Sequence, residues 1–178
     1  MRKFHRMLIG LGVTVAALMV IAFLLPRHVT VARSIFIEAT PAEVFFEVNS
    51  LQRFNVWSPW SAIDPQMQYA YSGPGEGVGN AMSWIADHPD LESGSQRIVR
   101  SEPGQVVESV LDFGSLGLAK TRFRLESQGP RTIVTWSFEI DMGFNPVMRF
   151  IGLFMDGWIG KPYENGLESL KVIVENKS

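Results

Sequence analysis

The chain has 178 residues, 46% of them hydrophobic and 19% charged, which excludes a disordered polypeptide and leaves room for one domain with a short appendage. It contains no cysteine, so a disulfide framework, a thiolate zinc site, a cysteine nucleophile and a lipidated cysteine are all excluded. Its net charge of −2 is unevenly spread: four of the 16 basic residues fall at or before Arg27, the first acidic residue is Glu38, and the acidic remainder argues against nucleic acid as a partner.

Residues 8–25 (LIGLGVTVAALMVIAFLL) carry no charge. As a helix this run would extend about 27 Å, close to the ~30 Å hydrocarbon thickness of a bilayer. The preceding MRKFHR is basic, so the positive-inside rule places the N-terminus in the cytoplasm and the rest of the chain on the far side. A cleaved signal peptide is the alternative. Its apolar region would be shorter and would end in small residues, whereas Pro26-Arg27-His28 follows here. The expectation is a stub and single-pass transmembrane anchor over 1–28, in a bacterial cytoplasmic (inner) membrane, and one extracytoplasmic domain over 29–178.

In chain order, residues 30–38 alternate around Ile35 and Ile37 and read as a first strand. Thr40 as N-cap, Pro41 at the first helical position and Glu43 completing a capping box predict a helix, with Val44, Phe45 and Val48 as its apolar face. Residues 51–56 read as a second short helix, ended near Ser58-Pro59. Six strands follow at 67–71, 81–86, 95–101, 106–113, 119–126 and 132–142. Gly- or Pro-bearing turns separate them, among them Gly73-Pro74-Gly75, the hairpin loop His88-Pro89-Asp90, and 114–117. Short connections of this kind imply an antiparallel meander. Phe123 and Leu125 oppose Arg122, Arg124 and Glu126, and Val134, Trp136, Phe138 and Ile140 oppose Thr135, Ser137 and Glu139, so one sheet face is apolar and needs a cover. Val147, Ile151, Phe154 and Trp158, then Tyr163, Leu167, Leu170 and Val174, recur at helical spacing and predict a long closing helix, loosened in its middle by Pro162 and glycines.

Four segments in this order resemble the START-like (SRPBCC) superfamily, and more narrowly its polyketide cyclase/dehydrase-type branch. They are IFIEATPAEVFFEV, the Phe54-x-x-Trp57-x-x-Trp60 run with Pro59, the Gly73-Pro74…Gly77-x-Gly79 turn leading to Trp84, and GKPYENGLESLK at 160–171. The resemblance covers 29–175. It implies an α+β helix-grip fold, an antiparallel curved sheet of about seven strands around a long C-terminal helix, with a hydrophobic cavity between them. It does not imply a reaction, because function resides in sites and not in folds.

The residues themselves offer little chemistry. The glycine-rich run 73–79 matches neither dinucleotide nor phosphate-loop spacing and reads as a turn. His88 is the one histidine beyond residue 28, which leaves no histidine-rich metal site and makes a Ser-His-Asp triad depend on it. The carboxylates Asp112, Glu139, Asp141 and Asp156 each suit a solvated position. No catalytic residue, metal or cofactor is therefore assigned. The aromatic inventory points to a ligand pocket with candidate lining residues Trp57, Trp60, Trp84, Phe123, Trp136, Phe138, Phe154, Trp158 and Tyr163. The expected function is a membrane-anchored, non-enzymatic module that binds a hydrophobic small molecule or lipid in a void of about 300 Å³ or more. The alternatives are a polyketide cyclase/dehydratase-like enzyme, which would turn a buried carboxylate or Tyr163 into the cavity, and a cell-envelope protein-interaction scaffold, which would lack a cavity and expose an apolar patch.

Overall fold

A computed structural model describes residues 2–88, 91–114 and 117–177. The apolar N-terminal run lies in helix α1 (Arg2–Leu24). Among the described residues no helix is long and apolar enough to cross a membrane, so the transmembrane span expected over 8–25 is not supported, and what the structure gives is the helix. Its side chains from Ile9 to Leu24 are exposed apart from Ala22.

Strand β1 (His28–Ile37) follows after a short break. The Thr40 signal forms helix α2 (Pro41–Val48): the Thr40 N–H donates to Glu43 Oε2 at 2.7 Å, and the Thr40 hydroxyl accepts the Glu43 N–H at 3.4 Å. Helix α3 (Leu51–Trp57) comes next, and then helix α4 (Pro59–Ile63), absent from the sequence reading. The Ser58-Pro59 pair that ends α3 also starts α4, because the Ser58 hydroxyl caps the Trp60 N–H and proline takes the first helical position.

The remaining strands are β2 (Gln68–Ser72), β3 (Ala81–Ile85), β4 (Gly94–Glu102), β5 (Val106–Asp112), β6 (Leu118–Gln128) and β7 (Arg131–Asp141). All six agree with the expected positions to within a residue or two, as alternation of period two allows. Within the connections between them, Pro89, Asp90, Ser115 and Leu116 lie outside the described residues. One antiparallel sheet results, in the order β1-β7-β6-β5-β4-β3-β2. A bulge between Ile98 and Arg100 in β4 adds bend to it. β1 and β2 are neighbours in sequence but occupy opposite edges, so α2 to α4 must carry the chain across the apolar face. The glycine-rich turn joins β2 to β3 and is held by the α2–α3 junction: the Asn49 carbonyl accepts the Gly77 N–H, and the Ser50 hydroxyl donates to the Gly75 carbonyl. Gly73 has φ of 77° beside the Gly79 carbonyl, a place without room for a Cβ.

The closing segment is two helices, α5 (Pro146–Gly152) and α6 (Met155–Glu175). The interruption falls at Leu153-Phe154, and α6 runs through Pro162, which removes one helical hydrogen bond without ending the helix. Only the second half of the expected stripe packs inward. Tyr163, Leu167, Leu170 and Val174 are buried against the sheet, while Val147, Phe154 and Trp158 are exposed. Arg33, on the inner face of β1, lies against Gly160 and binds Asp156 and Glu164 at 2.9 Å each, which fastens α6 over the β1 edge.

Candidate functional site

Where α6 is fastened to β1 and α3 crosses the sheet, an aromatic cluster fills the interior. Trp136 stacks on Tyr163 with ring centroids 3.7 Å apart and on Phe123 at 4.9 Å, while Phe54 and Trp57 meet it edge-on. Gly166 makes the approach of α6 possible, since a Cβ there would lie 2.8 Å from Trp136 and 2.9 Å from Pro59. Beyond this cluster, toward α5, the interior opens into a cavity of about 450 Å³ bounded by β2 to β7, α3, α4 and the α5–α6 segment. It is larger than the expected minimum but partly open rather than enclosed. Its lining is apolar except at a few points, and it includes Met82, Met142, Met148 and Met155, whose unbranched thioethers adapt to differently shaped guests.

Seven of the nine aromatic candidates line this space. Trp60 and Trp84 bound it on the α4 and β3 sides. Phe123, Trp136, Phe138 and Tyr163 form its floor and inner end, and Trp158, 59% exposed, stands at its mouth. The other two do not line it. Trp57 is buried in the cluster behind, and its indole N–H has no hydrogen-bond partner among the described residues. Phe154 sits at the break between α5 and α6, 59% exposed and stacked on Trp158 at 6.1 Å.

The polar groups at the inner end form a closed set. The Thr121 hydroxyl donates to the Ser137 carbonyl at 3.0 Å and accepts the Trp136 indole N–H at 2.7 Å. That leaves the Tyr163 hydroxyl, 3.3 Å away, as a second donor to Thr121. Burial pushes the Tyr163 pKa well above its ordinary value, so the phenol stays neutral. Sequence reasoning missed Thr121 and three further polar lining residues, Asn55, Ser58 and Gln96. Gln96 carried a signal, since it shares the inward phase of β4 with Ile98.

The acidic candidates stand elsewhere. Asp141 is paired with Arg27, whose Nε donates at 2.7 Å, and this bond followed by the Gly143 N–H holds its carboxyl well below the usual range. Arg33 lowers Asp156 in the same way. Asp112 accepts the Gly114 N–H and Glu139 is half-buried; none of the four lines the cavity. The carboxylate among the described lining residues is Glu92, which is exposed at the rim. No group of residues among those described is arranged to hold a metal ion.

The architecture has many solved counterparts. A norcoclaurine synthase point mutant from Thalictrum flavum, in complex with a transition-state analogue, superposes with a TM-score of 0.64 at 13% identity over 85% of this chain and 97% of that one. The di-domain ARO/CYC StfQ of the steffimycin biosynthetic pathway gives 0.62 at 8% identity over 84% of this chain and 51% of its own. Ara h 8.0201 gives 0.59 at 13% identity, covering 84% and 99%. At these identities the likeness is one of fold. No curated protein sequence matches the chain. The family model described as polyketide cyclase / dehydrase and lipid transport matches residues 28–175, which takes in every strand and the closing helices. The helix-grip chain therefore belongs to that family, within the START-like (SRPBCC) superfamily.

Proposed function

We propose that the domain binds a hydrophobic small molecule or lipid in the 450 Å³ cavity and holds it beside a membrane. The carrying observation is the cavity itself, sized for a drug-like or single-chain lipid guest and walled by aromatic and methionine side chains. The family description, which includes lipid transport, supports the same reading. Saturable uptake of a neutral, environment-sensitive dye by the full chain in nanodiscs, beyond that of protein-free discs, is the expected result. Uptake that never saturates would remove the proposal.

The membrane part rests on exposed surface. α1 presents apolar side chains on all sides, and its C-terminal end is fixed to the domain by Arg149. That guanidinium is buried, donates to the Phe23 carbonyl at 3.0 Å and to the Leu25 carbonyl at 3.3 Å, and lies over the Phe23 ring. Phe144 just before α5, Val147 on it, Leu153 and Phe154 in the break after it, and Trp158 at the start of α6 are all exposed. A soluble surface rarely displays so large an apolar group, and Trp and Phe suit a bilayer interface. Because Trp158 also stands at the cavity mouth, the guest would enter from the membrane side. Deleting residues 1–27 is expected to release the protein from membranes in a fractionation. Carbonate extraction of the intact chain separates a spanning α1, which resists it, from a peripheral one, which does not.

One observation favours a cyclase/dehydratase-like enzyme as the second reading: Tyr163 lines the cavity. As a neutral phenol it would serve as a proton donor and not as a base. Turnover abolished by Tyr163→Phe with ligand uptake unchanged would favour that reading over a carrier.

A further inference from the structure

Four buried polar side chains line the cavity: Ser58, Gln96, Thr121 and Tyr163. Three are committed within the protein. Ser58 caps α4, and Thr121 and Tyr163 are bonded to each other and to Trp136 and Ser137. Asn55, half-buried on the same wall, gives its amide to the Tyr71 hydroxyl at 2.7 Å. Gln96 differs. It is 5% exposed, lies on the inner face of β4 opposite Leu111 and Met82, and its carboxamide has no hydrogen-bond partner among the described residues. Gln96 borders the cavity, and among the described residues the sealed, unpartnered polar side-chain atom is the Trp57 indole nitrogen and not the Gln96 amide.

With no protein partner among the described residues, the Gln96 amide amid Met82, Leu111 and Trp84 is left to solvent in the partly open cavity. A wholly apolar guest that displaced this solvent would strand the amide, at a cost that a guest able to bond it avoids. The lining also restricts the guest's charge. Among the described lining residues there is no Lys, Arg or His to pair with an anion, and Glu92 at the rim would repel one. A carboxamide offers a donor and an acceptor but no charge, so it matches a hydroxyl, a ketone or an amide.

We infer that Gln96 is the polar recognition point of the cavity and that the ligand is a neutral, predominantly apolar molecule bearing a hydroxyl, carbonyl or amide group, not a fatty-acid-like anion. The inference rests on the cavity-binding reading above and deepens it.

Calorimetry on the full chain in nanodiscs with three matched probes, 2-naphthol, 2-methylnaphthalene and 2-naphthoate, tests it. The first two differ by a hydroxyl against a methyl, and the third adds a carboxylate. The wild type is expected to bind 2-naphthol at least tenfold more tightly than 2-naphthoate. Gln96→Leu is expected to lower the ratio of 2-naphthol to 2-methylnaphthalene affinity about tenfold while leaving 2-methylnaphthalene binding intact. Gln96→Met serves as a second variant of similar length should the first fail to fold. A ratio unchanged in the folded variant, or naphthoate bound as tightly as naphthol, overturns the inference and leaves cavity binding standing. No binding of any of the three to the wild type overturns both.

Discussion

The two halves of α6 cover the same sheet with opposite results. From Tyr163 to Val174 the helix turns Tyr163, Gly166, Leu167, Leu170 and Val174 inward at intervals of three and four, against Ile37, Val44, Val134 and Trp136, and the interior there is filled. From Met155 to Ile159 the corresponding turn holds Asp156, Gly157 and Trp158, all exposed, and the space beneath is hollow. Arg33 on β1 holds this half through Asp156 and the start of the packed half through Glu164, so the helix stays over the cavity without filling it. A binding fold needs both behaviours in one element: a packed end that supplies stability and a propped end that leaves room.

Breaking the packed end gives the largest expected effect. Leu167→Ala, at a position 1% exposed, is expected to destabilise the protein by about 2–5 kcal/mol in denaturant unfolding, since the well-packed surroundings cannot collapse onto the gap. Gly166→Ala acts in the other direction by forcing a methyl against Trp136 and Pro59, and about 1–3 kcal/mol is expected in the same measurement. Filling the propped end tests the contrast directly. Leu111→Trp, with its ring directed into empty volume, is expected to change stability by less than about 1 kcal/mol while abolishing dye uptake.

The boundary between the two ends responds to pH through Tyr163. Its folded-state pKa lies above its unfolded value near 10, so the neutral phenol's contribution is fully present below about pH 10 and is lost as pH rises beyond it. Stability measured by thermal unfolding is expected to decline above pH 10, and the decline to be smaller in Tyr163→Phe. The smallest effect is expected at Trp57, whose orphaned indole N–H offsets part of the value of its ring. Trp57→Phe is expected to fall within about 1 kcal/mol of the wild type in denaturant unfolding.

How legible these regions were in the sequence follows from the kind of signal each carries. Phe123 and Leu125 against Arg122 and Arg124 reveal which side of β6 is wet, and Thr40-Pro41 with Glu43 marks α2 by local hydrogen bonding alone. Both are properties of neighbours along the chain. The hollow is not. Trp57 and Trp60 stand three residues apart in one motif, yet α3 puts the first in the cluster around Trp136 and α4 sets the second against the cavity. The spacing of Phe154 and Trp158 was helical as read, but helical spacing does not say whether the stripe meets a sheet or the outside. The 8–25 run shows the same limit, since apolar content predicts a helix and the structure bears out only that much.

The sheet order has a consequence for how the chain is made. β1 is synthesised before the other six strands of the sheet, yet its neighbour among the described strands is β7, and the Ser34 and Thr135 hydroxyls that meet across them lie 101 positions apart. Until residues 131–141 have been synthesised, the first strand waits with its backbone groups unpaired, while the β3–β6 hairpins can already form among themselves. Closure of that long loop is the slow, late event, and the nascent first strand is the segment that most needs shielding in the interval.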